Sequence, residues 1–169
     1  MADLRKSATI IFVAEMIDLK KYKSLLIQDD TGTIVDTASW NIYTQSIPFQ
    51  IIPDVKDYAT NDWSDEDGEE VYIPVKPVYK AYDLPIQFVF VGDEYTDAND
   101  NISGFFDFIR YGRLSIYDEY TKIGRRDIYY KSYSPKSFYR RDGEADIVEF
   151  SITFRVCDPI TNITLEREE

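Results

Sequence analysis

The chain has one abundant kind of reactive side chain, the carboxylate, and it lacks the group on which most enzymes rely near neutral pH. It contains 31 aspartate and glutamate residues, no histidine and a single cysteine, Cys157. Without histidine, Ser-His-Asp and Cys-His catalysis and most zinc sites are excluded. A carboxylate pair could still support hydrolysis, but so many acids identify no particular pair. We therefore predict that the protein is not an enzyme, and a carboxylate-dependent hydrolase is the alternative.

The sequence contains no specific site for a phosphate or a metal. The seven glycines are scattered at turns, and no Walker or Gly-x-Gly-x-x-Gly loop occurs. An EF-hand alignment on Gly68 would place Trp63 at the first ligand position and Pro74 at the twelfth, and neither side chain binds calcium. Weak divalent binding by Asp65 and its acidic neighbours is an alternative. We predict no catalytic residue, no cofactor and no dedicated metal site.

The formal net charge of −12 argues against nucleic acid as a specific partner. Specific binding normally begins with lysines and arginines that neutralise phosphates, whereas an acidic surface suits a channel through which DNA slides. No apolar run approaches the roughly 20 residues that span a bilayer. The apolar stretch near the N-terminus alternates and includes Glu15, which favours a first strand over a signal peptide. The lone Cys157 is expected to be a buried, inert thiol.

Charge is segregated along the chain. Six of the nine residues from 62 to 70, the acidic run, are acids, whereas residues 121–141 hold seven basic residues against Asp127 alone. Opposite patches on one subunit suit a head-to-tail contact, which closes into a ring when the rotation permits. The alternative is that both runs are solvated loops that neutralise each other within one subunit. The predicted interface residues are Asp62, Asp65, Glu66, Asp67, Glu69, Glu70, Lys122, Arg125, Arg126, Lys131, Arg140 and Arg141.

Tyrosines accumulate close to the basic residues. The chain has fourteen tyrosines, and six of them lie between residues 117 and 139: Tyr117, Tyr120, Tyr129, Tyr130, Tyr133 and Tyr139. Aromatic and cationic side chains together could stack on sugars or on single-stranded bases. Packing at a protein interface explains them better, because tyrosine buries a large apolar body and keeps a polar tip.

The pattern of apolar residues predicts a chain made mainly of strands. The last strand alternates most clearly, with Val148, Phe150, Ile152, Phe154 and Val156 on one face until Asp158-Pro159 ends it. Earlier strands are predicted at residues 9–16, 22–28, 33–40, 46–52, 71–79, 85–91, 113–117 and 125–133. The polar turn at 29–32, which ends in Gly32, predicts that 22–28 and 33–40 form a hairpin. Prolines place 46–52 and 71–79 at an edge or in a connector. The segment 85–91 is apolar on both faces, which favours a central strand.

One helix is predicted, over residues 97–111. Ile102, Phe105, Phe106 and Ile109 form a single apolar stripe, and Gly112 follows the last turn. These elements predict a mainly β fold, either a β-sandwich or a partly rolled antiparallel sheet, with one flanking α-helix. We expect one domain over residues 1–169, with a mobile acidic loop at 54–70.

The segment 103–161 resembles the sheet domain of siphophage distal tail proteins. The resemblance rests on the order of an amphipathic helix, the strand GRLSI, a tyrosine-rich strand, a turn at 141–143 and an amphipathic strand that ends at the corner FRVCDP. Residues 62–94 also look similar to tail proteins of this kind. The chain ends ten residues after Pro159, where many family members continue into a further domain, so direct host recognition is not implied.

This resemblance implies a structural role in the tail of a tailed phage or prophage. Distal tail proteins are ring-shaped adaptors, of six subunits by family resemblance, that surround the DNA channel and connect the tail tube to the baseplate. The expected partners are copies of the same chain and other tail or baseplate proteins, with no membrane. The expected location is the virion tail, after synthesis in the host cytoplasm. A tail tube or terminator subunit is one alternative, and a monomeric ligand- or carbohydrate-binding β-sandwich module is another.

Overall fold

The computed structural model describes residues 21–92, 98–139 and 146–167. The described elements, in chain order, are β1 (Leu26–Gln28), β2 (Ile34–Asp36), a 3-10 turn (Thr37–Trp40), β3 (Ile42–Thr44), β4 (Ala59–Asn61), β5 (Glu70–Tyr72), β6 (Tyr82–Val91), α1 (Ala98–Ile109), β7 (Leu114–Asp118), β8 (Ile123–Tyr139) and β9 (Ile147–Val156). Seven strands form one antiparallel sheet in the order β2-β1-β7-β8-β9-β6-β3, and β4 pairs with β5 separately. The prediction of a mainly β fold with one flanking helix is confirmed for these residues.

Strand β9 lies inside the sheet, where it pairs with β8 on one side and with β6 on the other. Phe150 lies opposite Phe88, and Ile152 lies opposite Ile86, so apolar side chains of neighbouring strands share the inner face. All four are buried, and burial of each such side chain stabilises the fold by roughly 1.5–3 kcal/mol. The amphipathic pattern predicted for the last strand is therefore confirmed.

The sheet is rolled so that its two sides approach each other. Lys23, just before β1, and Thr44, at the end of β3, exchange two backbone hydrogen bonds of 2.8 Å each. Leu25 from one side and Ile42 from the other consequently belong to the same buried cluster. Of the two predicted architectures, this closing bridge favours the partly rolled antiparallel sheet.

Helix α1 covers the core with the predicted stripe. Phe105 and Ile109 are buried, and Ile102 and Phe106 pack against the same cluster. Gly112 follows with a φ of +69°, and a Cβ at this position would lie 2.4 Å from Oδ2 of Asp30, so the turn requires glycine. Residue 97, where the helix was predicted to begin, lies outside the described residues.

The N-terminal half differs from the prediction in its strand boundaries. The hairpin of β1 and β2 forms as predicted, but its second strand stops at Asp36, whose side chain accepts a hydrogen bond from the N–H of Ala38 and starts the 3-10 turn. Asn41 then adopts a left-handed conformation, with φ at 56°, and β3 follows, which the sequence pattern did not predict. Residues 46–52 contain no strand and form the connector that was one of the two expectations.

Later strands also differ in length and in environment. The expected strand at 71–79 is only the end of β5, and the expected loop at 54–70 contains β4. Strand β6 is central, as predicted, but both of its faces are buried only from Phe88 to Phe90. Strand β8 continues to Tyr139 because bulges between Tyr130 and Ser132 and between Pro135 and Ser137 accommodate extra residues. The predicted strand at 9–16 and the turn at 141–143 lie outside the described residues.

Candidate assembly surfaces

A long arm, residues 51–80, leaves the sheet between β3 and β6. At its root the N–H of Lys80 donates to the carbonyl of Asp54, and the N–H of Lys56 donates to the carbonyl of Val78, both at 2.7 Å. Farther out, β4 and β5 form a hairpin. The exposed large apolar side chains of the arm are Ile51, Ile52, Tyr58, Trp63, Val71, Tyr72, Ile73, Val75 and Val78. So dense a set of exposed apolar residues is typical of an interaction surface.

An apolar cavity of about 230 Å³, the arm cavity, opens near the root of the arm. Its lining consists of Lys56, Asp57, Tyr58, Ala59, Tyr72, Pro74 and Val78. A hydrogen bond from the Lys80 ammonium, at 2.7 Å, holds the pKa of the Asp57 carboxyl below its ordinary value. The charge of Asp57 is thus paired beside the cavity, and the cavity itself presents mainly apolar surface.

The acidic run lies on the arm and is exposed throughout. Trp63 Nε1 donates a hydrogen bond of 3.4 Å to Glu70 Oε2. Within the described ranges, no ion pair joins an acid of this run to a basic residue. The alternative prediction was that the acidic run and the basic run neutralise each other within one subunit. Among the described residues, no ion pair of this kind is seen. Whether the acidic segment is mobile stays a prediction.

The basic residues of the predicted interface do not share one environment. Lys122 is exposed at the turn between β7 and β8, with a φ of 58°. Lys131 is ion-paired with Asp83 at 2.5 Å, and Arg155 reaches the same carboxylate at 2.9 Å. Hydrogen bonds from Lys131 and then from Arg155 lower the pKa of the Asp83 carboxyl. Arg140 and Arg141 lie outside the described residues.

Arg126 is paired with the corner that ends β9. Its Nε lies 2.8 Å from Oδ2 of Asp158. Partial burial would raise the pKa of Asp158, but hydrogen bonds from Arg126, from the hydroxyl and N–H of Thr161 and from the N–H of Ile160 outweigh it and lower the pKa to about 2. The Asp-Pro corner that the sequence pattern identified as a strand end is thus also an ion-paired anchor for the segment that follows.

Arg125 is buried, with only 5% of its surface exposed, and is therefore not part of the outer surface on which it was predicted. Its guanidinium donates to the carbonyls of Gln50 and Gly124, at 3.1 and 3.0 Å, and to Oδ1 of Asn162 at 3.2 Å. Its Nε has no partner, nor does the buried Oε1 of Gln50. Arg125 thus ties the root of the arm and the C-terminal segment to β8, and we correct its predicted role from surface contact to internal clasp.

The far part of β8, residues 129–139, presents an open edge. Strand β7 accompanies β8 only up to Ile128, and no described strand pairs with β8 on that side farther along. The exposed aromatic residues of this part are Tyr129, Tyr133, Phe138 and Tyr139. An unpaired strand edge that carries exposed aromatic side chains is a ready surface for another chain.

The chemical alternatives find little support in the described residues. No group of three or more potential metal ligands is found there. Arg167 forms ion pairs with two carboxylates, that of Asp36 at 3.1 Å and that of Glu119 at 2.7 Å.

Cys157 is exposed, so the prediction of a buried thiol is wrong. Its side chain points outward because Val156 takes the inward position at the end of β9. No described helix has the length and apolar character needed to cross a membrane.

Sequence reasoning missed the exposed apolar residues of the arm and the arm cavity. The segment VYIPVKPVYK alternates apolar residues with polar residues and prolines, and it was interpreted as an edge strand. The prolines supplied the useful signal, since β5 ends at Tyr72, just before Pro74, and Ile73, Val75 and Val78 remain outside any described strand. The cavity depends on how β5 returns past β4, which no local pattern reveals.

Comparison with known proteins gives a fold likeness. No protein-family model and no curated protein sequence matches the chain. Among solved structures, the chain is similar to the Dit protein (gp 19.1) of phage SPP1, described as a paradigm of the hub adsorption apparatus in phages that infect Gram-positive bacteria. The TM-score is 0.57 at 14% identity, over 81% of this chain and 51% of the SPP1 chain.

The chain thus spans about half the length of the SPP1 protein. At this identity the likeness concerns the fold alone, which is similar to that of SPP1 Dit. The similar fold agrees with the resemblance that the helix, the GRLSI strand and the FRVCDP corner indicated.

Proposed function

We propose that the protein is a non-enzymatic structural component of the tail of a tailed phage or prophage, and that it acts as a distal-tail-type adaptor. In this role six copies form a ring around the DNA channel and connect the tube to the baseplate. The observation that carries the proposal is the fold likeness to SPP1 Dit over 81% of the chain. The protein would be made in the host cytoplasm and reside in the virion tail, next to other tail proteins.

The positions of the arm root and of the far part of β8 support a head-to-tail ring. The root of the arm lies at the end of the sheet where Tyr82, Val156 and Ile128 are aligned across three strands. The far part of β8, with Lys136, extends to the other end, where Phe138 pairs with Val148. Eight residues of β9 separate these ends, about 26 Å at 3.3 Å per residue. Two different surfaces at opposite ends of a subunit contact each other between neighbouring copies and not within one copy.

The acidic character of the chain suits the same role. A net charge of −12 repels the phosphates of passing DNA, and we propose no specific nucleic-acid binding. The charge pairing between the acidic run and the remaining basic residues Lys122, Arg126 and Lys131, together with Arg140 and Arg141, would set register and association rate more than affinity. A tail tube or terminator subunit would use the same kind of contact and differ in its neighbours.

The test is the solution mass of the purified protein, by light scattering over a range of protein and salt concentrations, with electron microscopy of the same samples. We expect a closed ring that dissociates as salt rises. The charge reversal Arg126→Glu should weaken it, whereas the matched control Arg110→Glu on α1 should not. A strict monomer at high concentration would contradict self-assembly and favour the monomeric binding module.

A further inference from the structure

We propose that the arm cavity is the anchor pocket for Phe138 of a second copy of this chain. The proposal rests on the ring assembly proposed above and names the pair of surfaces that gives the contact its affinity. Charge pairing between exposed side chains contributes little to affinity. A stable contact usually depends on a few aromatic side chains that fill pockets on the partner.

The size and chemistry of the arm cavity suit one aromatic ring. Its volume is about 230 Å³, whereas an engineered cavity of roughly 150 Å³ already holds benzene. The rings of Tyr58 and Tyr72 and the side chains of Ala59, Pro74 and Val78 supply apolar contact. The one carboxylate in the lining, Asp57, is paired with Lys80, so an entering apolar ring meets no unpaired carboxylate there.

Phe138 is the side chain best suited to fill this cavity. Among the large apolar side chains that the described residues expose, it is the one phenylalanine, with 56% of its surface exposed. Exposed tyrosines keep a hydroxyl in water, but phenylalanine has no polar group to offset its exposure. It lies on the part of β8 that no described strand accompanies on the β7 side, so a partner can approach it without displacing a described strand.

The charges around the two sites are complementary. The arm carries eight acids against three lysines, whereas the open edge, residues 129–139, carries Lys131 and Lys136 and no acid. Lys136 lies two positions before Phe138 and is exposed. The arm of one copy and the open edge of another therefore attract each other, while two arms or two edges repel. This difference in charge selects a second copy in head-to-tail orientation as the occupant.

The cavity and Phe138 lie on different ends of one subunit, as described for the arm root and the far part of β8. One copy therefore uses its cavity toward one neighbour and its Phe138 toward the other. Such a heterologous contact leaves both surfaces of each subunit occupied only when the assembly closes.

The test measures self-association of the full chain by sedimentation velocity. Phe138→Ala should raise the dissociation constant at least tenfold, and Ala59→Trp, which fills the cavity from within, should do the same. Tyr111→Ala is the matched control, since it removes a similarly exposed aromatic, 64% against 56% for Phe138, from the segment just after α1, and it should leave association unchanged. Circular dichroism of each variant establishes that it folds.

Each outcome decides a different question. Loss of association in both variants, but not in the control, supports the anchor pocket. A ring that forms normally with Phe138→Ala and with Ala59→Trp overturns the pocket and leaves the proposed tail ring in place. Wild-type protein that stays monomeric at the highest concentration overturns both the pocket and self-assembly.

Mixing two single-cysteine variants supplies a second readout. In a Cys157→Ser background that keeps Phe138, Ala59→Cys protein mixed with Lys136→Cys protein should form a disulfide-linked dimer under mild oxidation. Each variant alone should not. Equal cross-linking of each variant with itself would show random collision and would count against the proposed pairing.

Discussion

The rolled sheet and the arm are built from the same kinds of residues but use them differently. In the sheet, apolar side chains of β6 and β9 lie opposite each other and are buried within the subunit. On the arm, Ile52 is 85% exposed and Val75 is 103% exposed. We therefore expect the arm's apolar residues to add little to the free energy of unfolding of one subunit, and we propose that they contact another molecule. The comparison separates residues that hold the fold from residues that we propose for assembly.

The largest expected difference comes from truncating one apolar residue in each region. Phe150→Ala removes a ring that contacts Phe88, Phe105 and Phe106 in the core, and we expect a loss of about 3–5 kcal/mol in the free energy of unfolding. Ile52→Ala on the arm should cost less than about 0.5 kcal/mol. Urea denaturation of monomeric protein measures both. Similar losses would show that the arm stabilises the subunit and would remove the distinction.

Arg125 joins the two regions, and its removal should have an intermediate effect. Arg125→Met leaves the buried carbonyl of Gln50 and the amide oxygen of Asn162 with fewer donors, which we expect to cost roughly 2–3 kcal/mol. Arg126→Met, at an exposed position next to it in sequence, should cost less than about 1 kcal/mol.

Hydrogen exchange of the variants Arg125→Met and Arg126→Met shows which region of the chain loses protection. In Arg125→Met, the N–H of Gln50, which donates to the hydroxyl of Tyr82 at 3.4 Å, should lose more protection than the backbone of β9. Uniform loss of protection over the whole chain would instead assign Arg125 to the core alone. Unchanged protection at Gln50 would mean that the clasp does not hold the arm.

The same comparison explains how much of the structure the sequence could predict. The alternation in β9 and the stripe Ile102, Phe105, Phe106 and Ile109 follow from local period, and each is confirmed. Each of these elements is buried on one face, so its apolar residues recur at the period of a strand or a helix and can be recognised in the sequence. The turn of Asp29 to Gly32 was likewise predictable, because Asp29 accepts hydrogen bonds from the N–H groups of Thr31 and Thr33.

Features that depend on distant contacts were not predictable from the sequence. Arg125 stands in a basic run and was interpreted as a surface residue, but β8 turns it toward Gln50 and Asn162, 75 and 37 positions away in the chain. The short strand β3 has too few residues for a period, and it forms because β6 offers an edge to Ile42 and its neighbours. The arm cavity likewise arises from tertiary placement of Tyr58 and Tyr72.

The smallest expected effect on the free energy of unfolding comes from comparing Asp158, an acid of the sheet region, with Asp62, an acid of the arm. Asp158 has its pKa lowered to about 2 in the folded protein, so its ionised form stabilises the fold above the ordinary pKa of an aspartate. This contribution is present at neutral pH and is lost as pH falls from about 5 to about 2. Since the side chain is 22% exposed, we expect Asp158→Asn to cost roughly 1–2 kcal/mol at pH 7.

The pH dependence distinguishes this ion-paired corner from the arm. The difference in the free energy of unfolding between wild type and Asp158→Asn should shrink steadily as pH is lowered toward 2, since the wild-type carboxyl then becomes neutral as well. Asp62→Asn on the arm should leave the unfolding free energy of the monomer unchanged at pH 7, because Asp62 has no ion pair among the described residues. Urea titrations at several pH values measure both variants. A gap for Asp158→Asn that is constant with pH would mean that lost packing, and not the carboxylate charge, accounts for its effect.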